Sequence, residues 1–166
     1  MLTMEIVTSK AIGIQLLRHR SFTFQEFSQR YAEVTEIEPI ELRMQHANNR
    51  QSSTDLISKE ILIPDGLNDE MVNLDTAVES CINDDITLYK QLLKAGVAKE
   101  CARMVLPMAT QTTIFMSGTI RSWIHLLAIR DDSHAQLEIQ LIARKMKNIF
   151  IDQCPIISKA LDYERT

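Results

Sequence analysis

Polar side chains that could bind an anion are concentrated in one short stretch, Arg18–Tyr31 (RHRSFTFQEFSQRY), where three Arg, one His, one Glu and two Ser are interleaved with three Phe. The alternation of Phe22, Phe24 and Glu26 predicts an extended segment with one packed side, which leaves Arg and Ser side chains free. Guanidinium groups bind phosphate through paired hydrogen bonds, and Ser hydroxyls add short ones. The stretch therefore indicates an anion site, with an intramolecular Arg–Glu network as the alternative.

The first three residues of this stretch, Arg18–Arg20 (RHR), carry the most concentrated positive charge in the chain. A helix with Ser9 as N-cap is predicted to run into them, because Ile12 and Leu16 recur at helical spacing. The helix dipole favours cations at a helix C-terminus. Helix-end charge is thus the alternative to ligand binding at these residues.

A further cation, Arg130, is predicted to face inward. Ile120, Trp123, Ile124 and Leu127 form one apolar helical stripe, and Arg130 falls one turn beyond Leu127 on almost the same face. A lowered local dielectric would strengthen its electrostatic interactions. The alternative is a cation that neutralises a helix C-terminus. Trp123 is expected in the core rather than stacked on a cofactor.

Strands and shorter elements are predicted from residue composition and from the positions of proline. Strands are expected over Thr3–Val7 and Thr112–Thr119, which are β-compatible in composition. The polar, Pro-containing segment Thr35–Asn68 is expected to be a surface excursion with one short helix. Val97–Leu106 is predicted to be a short helix that Pro107 stops.

Two longer helices are predicted from apolar periodicity. The first covers Asp69–Ala95 and ends at Gly96 in the left-handed C′ position. Its stripe consists of Met71, Leu74, Val78, Cys81, Leu88 and Leu92. The last helix is expected to begin at a capping box formed by Ser133 and Gln136. Its stripe consists of Ala135, Ile139, Ile142, Met146 and Phe150.

Composition indicates one soluble globular domain over residues 1–166. The chain is 45% hydrophobic and 24% charged with four Gly and four Pro, which excludes collagen-like, low-complexity and fully disordered classes. It shows neither a membrane-spanning run nor a signal peptide, so a cytoplasmic protein is expected. The net charge of −4 argues against a nucleic-acid binder. Three cysteines without CxxC spacing predict reduced thiols and no metal site.

Two blocks of the sequence resemble the flavin-dependent thymidylate synthases. Arg18–Arg20, then seven residues, then Ser28 is similar to the signature of that family, and Glu26, Arg30 and Tyr31 extend the match. The block Ala102–Ile139 is similar to the second diagnostic region of the family, with an Arg before Leu-Pro, a strand, a helix ending in Arg, and Ala-Gln-x-Glu. The resemblance extends from Met4 to about Pro155.

The resemblance implies a fold, an activity and an assembly. Members of this family make thymidylate (dTMP) from deoxyuridylate (dUMP), taking a carbon from methylenetetrahydrofolate and a hydride from FAD that NADPH has reduced. The implied fold is α/β (α+β), a small sheet flanked by long helices. The implied assembly is a homotetramer whose active sites lie between subunits.

The resemblance also implies roles for individual residues. Positions that contribute to the flavin site are Arg18, His19, Arg20 and Glu26, and, on a stretch from another subunit, Thr119, Arg121 and His125. Positions around dUMP are Gln15, Glu26, Phe27, Ser28, Gln29, Arg30, Arg103 and Arg130. Ser28 and Arg30 are placed beside the phosphate, and Arg130 against the pyrimidine. Attack from C5 requires negative charge to spread into the ring carbonyls and N3, and a fixed guanidinium stabilises that charge without losing a proton.

Several residues have competing interpretations. Ser28 is preferred as a phosphate ligand over a nucleophile, because no activating base is evident beside it. Cys101 is expected to pack in an apolar helix rather than to act as a thiolate of the kind that flavin-free thymidylate synthases use. His46 and His134 receive no role. Thr119 stands where many relatives carry Asn, which puts one flavin contact in doubt.

The start of the chain also departs from the family pattern. The signature begins eighteen residues from Met1, whereas family members usually carry an additional N-terminal segment that contributes to the flavin pocket. A shortened N-terminus predicts weak flavin binding. The alternatives to an active enzyme are a noncatalytic nucleotide-binding or assembly subunit of the same fold and a nucleic-acid module built on Arg18–Arg30, which the acidic net charge opposes.

Overall fold

Strands and helices alternate irregularly along the chain. The computed structural model describes residues 1–33, 36–50, 52–64 and 70–165. In chain order the elements are β1 (Leu2–Ser9), α1 (Lys10–Leu16), β2 (Phe22–Glu26), β3 (Arg43–Gln45), β4 (Ser53–Leu56), β5 (Glu60–Ile63), β6 (Glu70–Asn73), α2 (Leu74–Lys94), α3 (Lys99–Ala102), β7 (Gln111–Gly118), α4 (Ile120–Arg130), α5 (Leu137–Gln153) and α6 (Pro155–Ala160). This mixture confirms the α+β class. Within these ranges, no helix combines the length and apolar character needed to cross a bilayer.

The central strand of the main sheet is β7, and β1 and β2 pair with it in antiparallel register on either side. The last residue of β7, Gly118, lies opposite both Leu2 and Phe22. The inner face buries Met4, Ile6, Ile114 and Met116. The two strands predicted at β1 and β7 are confirmed, and the extended segment predicted around Phe22 and Phe24 is β2.

The helices α4 and α5 pack against each other and share one apolar core with the sheet. Trp123 of α4 is fully buried, and its indole N–H donates to the Leu2 carbonyl at 3.1 Å. This confirms Trp123 as a core residue. On α5 the predicted stripe is buried at Ile139, Met146 and Phe150.

The helix α1 ends at Leu16 and does not continue into Arg18–Arg20 as predicted. The chain turns instead: the His19 N–H donates to the Leu16 carbonyl, and the Phe22 N–H donates to the His19 carbonyl at 3.2 Å. Because Phe22 must pair opposite Gly118, the chain has to reverse within these few residues. Ser9 is the N-cap residue of α1, as predicted, and its side chain makes no capping hydrogen bond.

The excursion expected over Thr35–Asn68 forms strands where it is described. β3 pairs with β4, and β5 pairs with β6. The short helix expected there is wrong for the described residues, while the bounds Thr35 and Asn68 lie outside them. Arg43 anchors β3 to α5, since its guanidinium forms an ion pair with Glu138 and its Nε donates to Ser53 at 2.9 Å.

The longest helix, α2, is confirmed with a later start. Its predicted first residue, Asp69, lies outside the described residues, and Met71 belongs to β6 instead of the helix. The helix begins after Asn73, whose side chain accepts from the Asp75 N–H at 2.9 Å. Gly96 follows the helix with φ 84°, as predicted. The predicted stripe is not a buried face, because Cys81 and Leu88 are exposed.

Two shorter segments were also predicted, one before Pro107 and one before α5. The helix predicted before Pro107 is confirmed as α3 followed by a 3-10 turn, Arg103–Val105. The capping box predicted at Ser133 is wrong, because α5 begins at Leu137 with Gln136 at its N-cap. A turn occupies the preceding residues, where Ala135 N–H donates to the Asp132 carbonyl at 3.0 Å.

We expect Gly118→Ala to destabilise the chain, because an alanine methyl would lie 2.5 Å from ring carbons of Phe22. Overpacking of this kind costs about 1–3 kcal/mol in unfolding free energy. Urea unfolding of the variant measures this cost, with Gln25→Ala, on the exposed side of β2, as the matched control. A cost below about 0.5 kcal/mol, the usual range of surface substitutions, would show that the Phe22 ring moves aside freely.

Candidate active site

The end of α1, the end of α4 and the start of α5 enclose a cavity of about 460 Å³. Its lining residues are Ala11, Ile14, Gln15, Arg18, Met108, Arg130, His134, Ala135 and Gln136. Two of these side chains are guanidinium groups, and none of these lining residues is an Asp or Glu. The cavity wall is therefore positively charged, which suits an anionic ligand.

Arg130 is fixed at this wall by two hydrogen bonds. Its Nε–H donates to His19 Nε2 at 2.8 Å, and its Nη2 donates to the Gln15 carbonyl at 3.2 Å. Burial, and then the charge of Arg18, hold the pKa of Arg130 below its usual value, yet a guanidinium remains a cation at neutral pH. The inward placement of Arg130 is confirmed. Its contact with a helix end is to α1 rather than to its own helix.

His19 is the acceptor in this arrangement, so its Nε2 carries no proton and its Nδ1 does. The imidazole packs edge to face on Phe22 with ring centroids 6.3 Å apart, and Phe22 packs in the same way on Trp123 at 4.8 Å. Burial, followed by the charges of Arg130 and His125, lowers the pKa of His19 to about 4. The ring is therefore neutral at pH 7 and is tied to the core.

Two amide side chains meet beside Arg130. The Gln15 Nε2 donates to the Gln136 Oε1 at 2.7 Å, which joins the end of α1 to the start of α5. Amides present both donors and acceptors, as does the edge of a pyrimidine. Gln15 was expected at the nucleotide, but Gln136 and His134 were not. The signal for Gln136 was its place in the Ala-Gln-x-Glu motif.

A second, smaller cavity of about 200 Å³ adjoins the first, because Met108 lines both. Its lining residues are Lys10, Gln29, Arg103, Met104, Leu106, Pro107 and Met108. Gln29 and Arg103 are residues predicted around the nucleotide, and Lys10 is a cation that the sequence did not single out. The larger cavity is therefore lined by amide and guanidinium groups, and the smaller cavity, with Lys10 and Arg103, is called the basic pocket below.

Glu26 does not lie at the Arg130 cavity. Its Oε1 accepts from Lys10 Nζ at 2.6 Å and from the Thr112 hydroxyl at 2.9 Å. Among the ion pairs of the described residues, Glu26 pairs with Lys10 and with none of the three arginines of the segment. The Arg–Glu network considered from sequence is therefore wrong, and Glu26 holds Lys10 at the smaller cavity.

The remaining nucleotide positions follow β2. Phe27 is exposed, and its N–H donates to the Thr113 carbonyl at 2.9 Å, which continues the sheet by one bond. Ser28 is half-buried, and its carbonyl accepts from the Tyr31 N–H at 3.1 Å. The Arg30 guanidinium lies 5.7 Å from the centroid of the Tyr31 ring. Ser28 and Arg30 are not among the lining residues of the smaller cavity.

The two stretches predicted to contact flavin adjoin within one chain. Thr119 caps α4 by accepting from the Ser122 N–H at 3.1 Å, and the Ser122 hydroxyl donates to the Ser21 carbonyl at 3.3 Å. The exposed side chains on this surface are Arg18, Arg20, Arg121 and His125. In the part of the chain that the structure describes, these arginines form no ion pair with a carboxylate. Unpaired guanidinium groups of this kind suit a phosphate or another anion.

The cysteines are not buried as expected. Cys101 and Cys81 are exposed, so the predicted packing of Cys101 in an apolar helix is wrong, because α3 is a single turn at the surface. Cys154 is half-buried. His46, which received no role, accepts two backbone N–H groups in the turn between β3 and β4. The described residues contain no group of three or more His, Cys, Asp or Glu placed to hold a metal ion.

We expect the unfolding free energy to fall as the pH decreases from 6.5 to 4, because the unfolded chain protonates His19 in that window and the folded chain does not. After allowance for solvent screening at a half-buried ring, this contribution is about 1–2 kcal/mol. Urea unfolding at several pH values measures it, and His19→Gln should remove this part of the pH dependence. Equal pH slopes for the parent and the variant would contradict the lowered pKa.

Comparison with known proteins places the chain in a family. A family model described as thymidylate synthase complementing protein matches residues 1–156. A probable flavin-dependent thymidylate synthase of Paramecium bursaria Chlorella virus 1 is 45% identical over 163 residues, which cover 98% of this chain and 71% of that protein. The flavin-dependent thymidylate synthase of Synechocystis sp. is 40% identical over 164 residues with the same two coverages, and that of Thermosipho africanus is 35% identical over 146 residues, 87% of this chain and 60% of that protein. The sequence resemblance is confirmed, and the chain belongs to the flavin-dependent thymidylate synthase family.

Proposed function

We propose that this chain converts dUMP to dTMP, with methylenetetrahydrofolate as the carbon donor and NADPH-reduced FAD as the hydride donor. The observation that carries the proposal is the Arg130 guanidinium, held by His19 and Gln15 at a cavity wall whose lining contains no carboxylate. A cation held in this way keeps its full charge for a ligand.

The pyrimidine is proposed to occupy the larger cavity. For C5 to attack as a nucleophile, the ring has to carry negative charge that is delocalised over its carbonyl oxygens and N3, and the Arg130 guanidinium stabilises this activated ring without a proton transfer. The amides of Gln15 and Gln136 hold the polar edge of the ring in place. Reduced FAD, when bound, supplies the hydride that completes the methyl group. The chain itself contributes orientation and charge.

The phosphate is proposed to lie toward the basic pocket. Arg103 and Lys10 line that pocket with Gln29, and Met108 connects it to the cavity of the base. Ser28 and Arg30, which follow β2 beside Gln29, are the phosphate ligands that the family resemblance implies. A dianionic phosphate requires several converging donors, and Arg103, Arg30, Gln29 and Ser28 provide guanidinium, amide and hydroxyl groups, whereas the Lys10 ammonium is paired with Glu26.

The flavin is proposed to bind the surface formed by the turn after α1 and the first turns of α4. Its residues are Arg18, His19, Arg20, Thr119, Arg121 and His125, with Glu26 as the remaining position that the family resemblance implies. A homotetramer with active sites between subunits, and a cytoplasmic location, complete the proposal. In such an assembly the adjoining surfaces of different subunits would close the flavin pocket.

A noncatalytic nucleotide-binding or assembly subunit is the second candidate function. It is favoured by Glu26, whose carboxylate is bound by Lys10 and Thr112 instead of facing the flavin surface. It is also favoured by Thr119, where many relatives carry Asn. A chain of this kind would keep the nucleotide site and would not retain flavin.

Spectroscopy and a turnover assay separate the two functions. The purified chain is examined for flavin absorbance and for a rise in melting temperature on titration with FAD, since a ligand that binds the folded state stabilises it in a concentration-dependent way. Oxidation of chemically reduced FAD is then followed with methylenetetrahydrofolate, with and without dUMP. Oxidation that depends on dUMP supports the enzyme. Binding of dUMP without any FAD shift supports the noncatalytic subunit.

We expect Arg130→Ala to lower turnover by about 10²–10³, because loss of one preorganised charge at the developing anion typically costs that much. Steady-state formation of dTMP measures it, and urea unfolding checks the fold. Arg165→Ala is the matched control, because Arg165 is exposed and pairs with Asp152 at the far end of the chain. Turnover of Arg130→Ala within threefold of the parent would show that Arg130 serves only the helix end.

We expect Arg30→Ala and Ser28→Ala to weaken binding of dUMP more than binding of deoxyuridine, which lacks the phosphate. A charge-assisted hydrogen bond contributes roughly 1.5–3 kcal/mol, so the arginine change should cost about tenfold or more in dUMP affinity. Isothermal titration calorimetry with both ligands measures the difference. Equal losses for nucleotide and nucleoside would contradict the phosphate assignment.

A further inference from the structure

The guanidinium of Arg130 is oriented through a chain of contacts that starts in the core. Trp123 is fully buried, Phe22 packs edge to face on it, and His19 packs edge to face on Phe22. His19 Nε2 then accepts the Arg130 Nε–H at 2.8 Å. Each member of this chain is held by the one before it, so the position of the guanidinium depends on the imidazole.

We infer that His19 is a positioning residue for the pyrimidine-facing cation: its uncharged imidazole accepts the Nε–H of Arg130 and fixes the plane of the guanidinium at the cavity wall. The role in turnover rests on the proposed function, whereas the contact itself does not. This role is separate from the flavin contact that the family resemblance implies for His19.

A neutral acceptor does what a carboxylate at the same place could not do. A carboxylate would also accept the Nε–H, but its charge would neutralise the guanidinium and weaken its interaction with a developing anion. Imidazole supplies the acceptor without the charge. The Gln15 carbonyl, the second acceptor, is likewise uncharged. Both fixing contacts therefore orient Arg130 and leave its charge available.

The surroundings of His19 keep it in the accepting form. The charged or titratable groups that act on it are Arg130 and His125 of α4, and both oppose a positive imidazole. The positive charge of Arg18, in the turn beside His19, also acts on Arg130. Protonation of His19 would place a proton on the accepting Nε2, break the contact and set two cations side by side.

The contact is tested without any ligand by nitrogen-15 NMR of the full chain. Long-range proton–nitrogen spectra distinguish the two neutral tautomers of each of the four histidines, and loss of one signal set in His19→Gln assigns His19. We expect the Nδ1–H tautomer at pH 7, no protonation above about pH 5, and a higher pKa for His19 in Arg130→Ala. The Nε2–H tautomer, or protonation between pH 6 and 7, would overturn the inference.

The role in turnover is tested with two substitutions at one position. His19→Ala removes the acceptor and should lower kcat about tenfold or more, because misorientation of a catalytic group by about 1 Å can cost up to 10²-fold. His19→Gln returns a neutral acceptor and should recover kcat to within about threefold of the parent. The KM for dUMP should change less than kcat in both variants, since the phosphate contacts are untouched.

A second histidine provides the control for the turnover assay. His46→Gln alters a histidine in the β3–β4 turn, which has no part in the site, and should leave kcat within twofold of the parent. Equal kcat values for the parent and His19→Ala, or no recovery in His19→Gln, would overturn the positioning role. A parent chain without dUMP-dependent turnover would overturn the proposed function, and the NMR signature alone would then decide the contact.

Discussion

A cation that stabilises negative charge on a ligand has to be held in place without being neutralised, and this is the constraint on the role proposed for Arg130. Arg130 meets it through two uncharged acceptors, the His19 imidazole and the Gln15 carbonyl. Both acceptors lie in or just after α1, whereas Arg130 ends α4, 111 residues beyond His19 along the chain. The fold must therefore bring the two helix ends together with the accuracy of a hydrogen bond.

The central strand β7 provides this accuracy. Its last residue, Gly118, lies opposite Leu2 on one side and Phe22 on the other. The absence of a side chain at Gly118 lets the Phe22 ring lie over the strand, where it contacts Trp123 on α4. Trp123 in turn donates its indole N–H to the Leu2 carbonyl. The three strands and α4 are thus locked together at one point, and the turn that carries His19 ends at that point.

Much of the fold follows from local patterning, and the failures share a cause. The strands β1 and β7, the helix α4 and the stop at Gly96 were predictable because side-chain periodicity and glycine geometry act within a few residues. The capping box at Ser133 and the helical assignment of Met71 were wrong because contacts with distant parts of the chain outweighed the local preference for helix. Residues before α5 form a turn at the cavity, and Met71 pairs in a strand with β5. Neither the turn nor the strand pairing produces a periodic pattern of apolar residues in the sequence.

The sequence predicted which types of side chain form the site, but it did not predict which of these side chains contact each other. Spacing identified Arg18–Arg20 and the inward face of Arg130, and the family resemblance implied a ligand role for Glu26, but nothing in the sequence singled out Lys10. These two residues explain each other, since the Lys10 ammonium and the Thr112 hydroxyl both bind the Glu26 carboxylate. Glu26 is the one carboxylate within the arginine-rich segment. Lys10 pairs with this carboxylate, and among the described residues Arg18, Arg20 and Arg30 form no ion pair with a carboxylate. The guanidinium groups at the proposed anion sites therefore keep a charge that no carboxylate of the described residues neutralises through an ion pair.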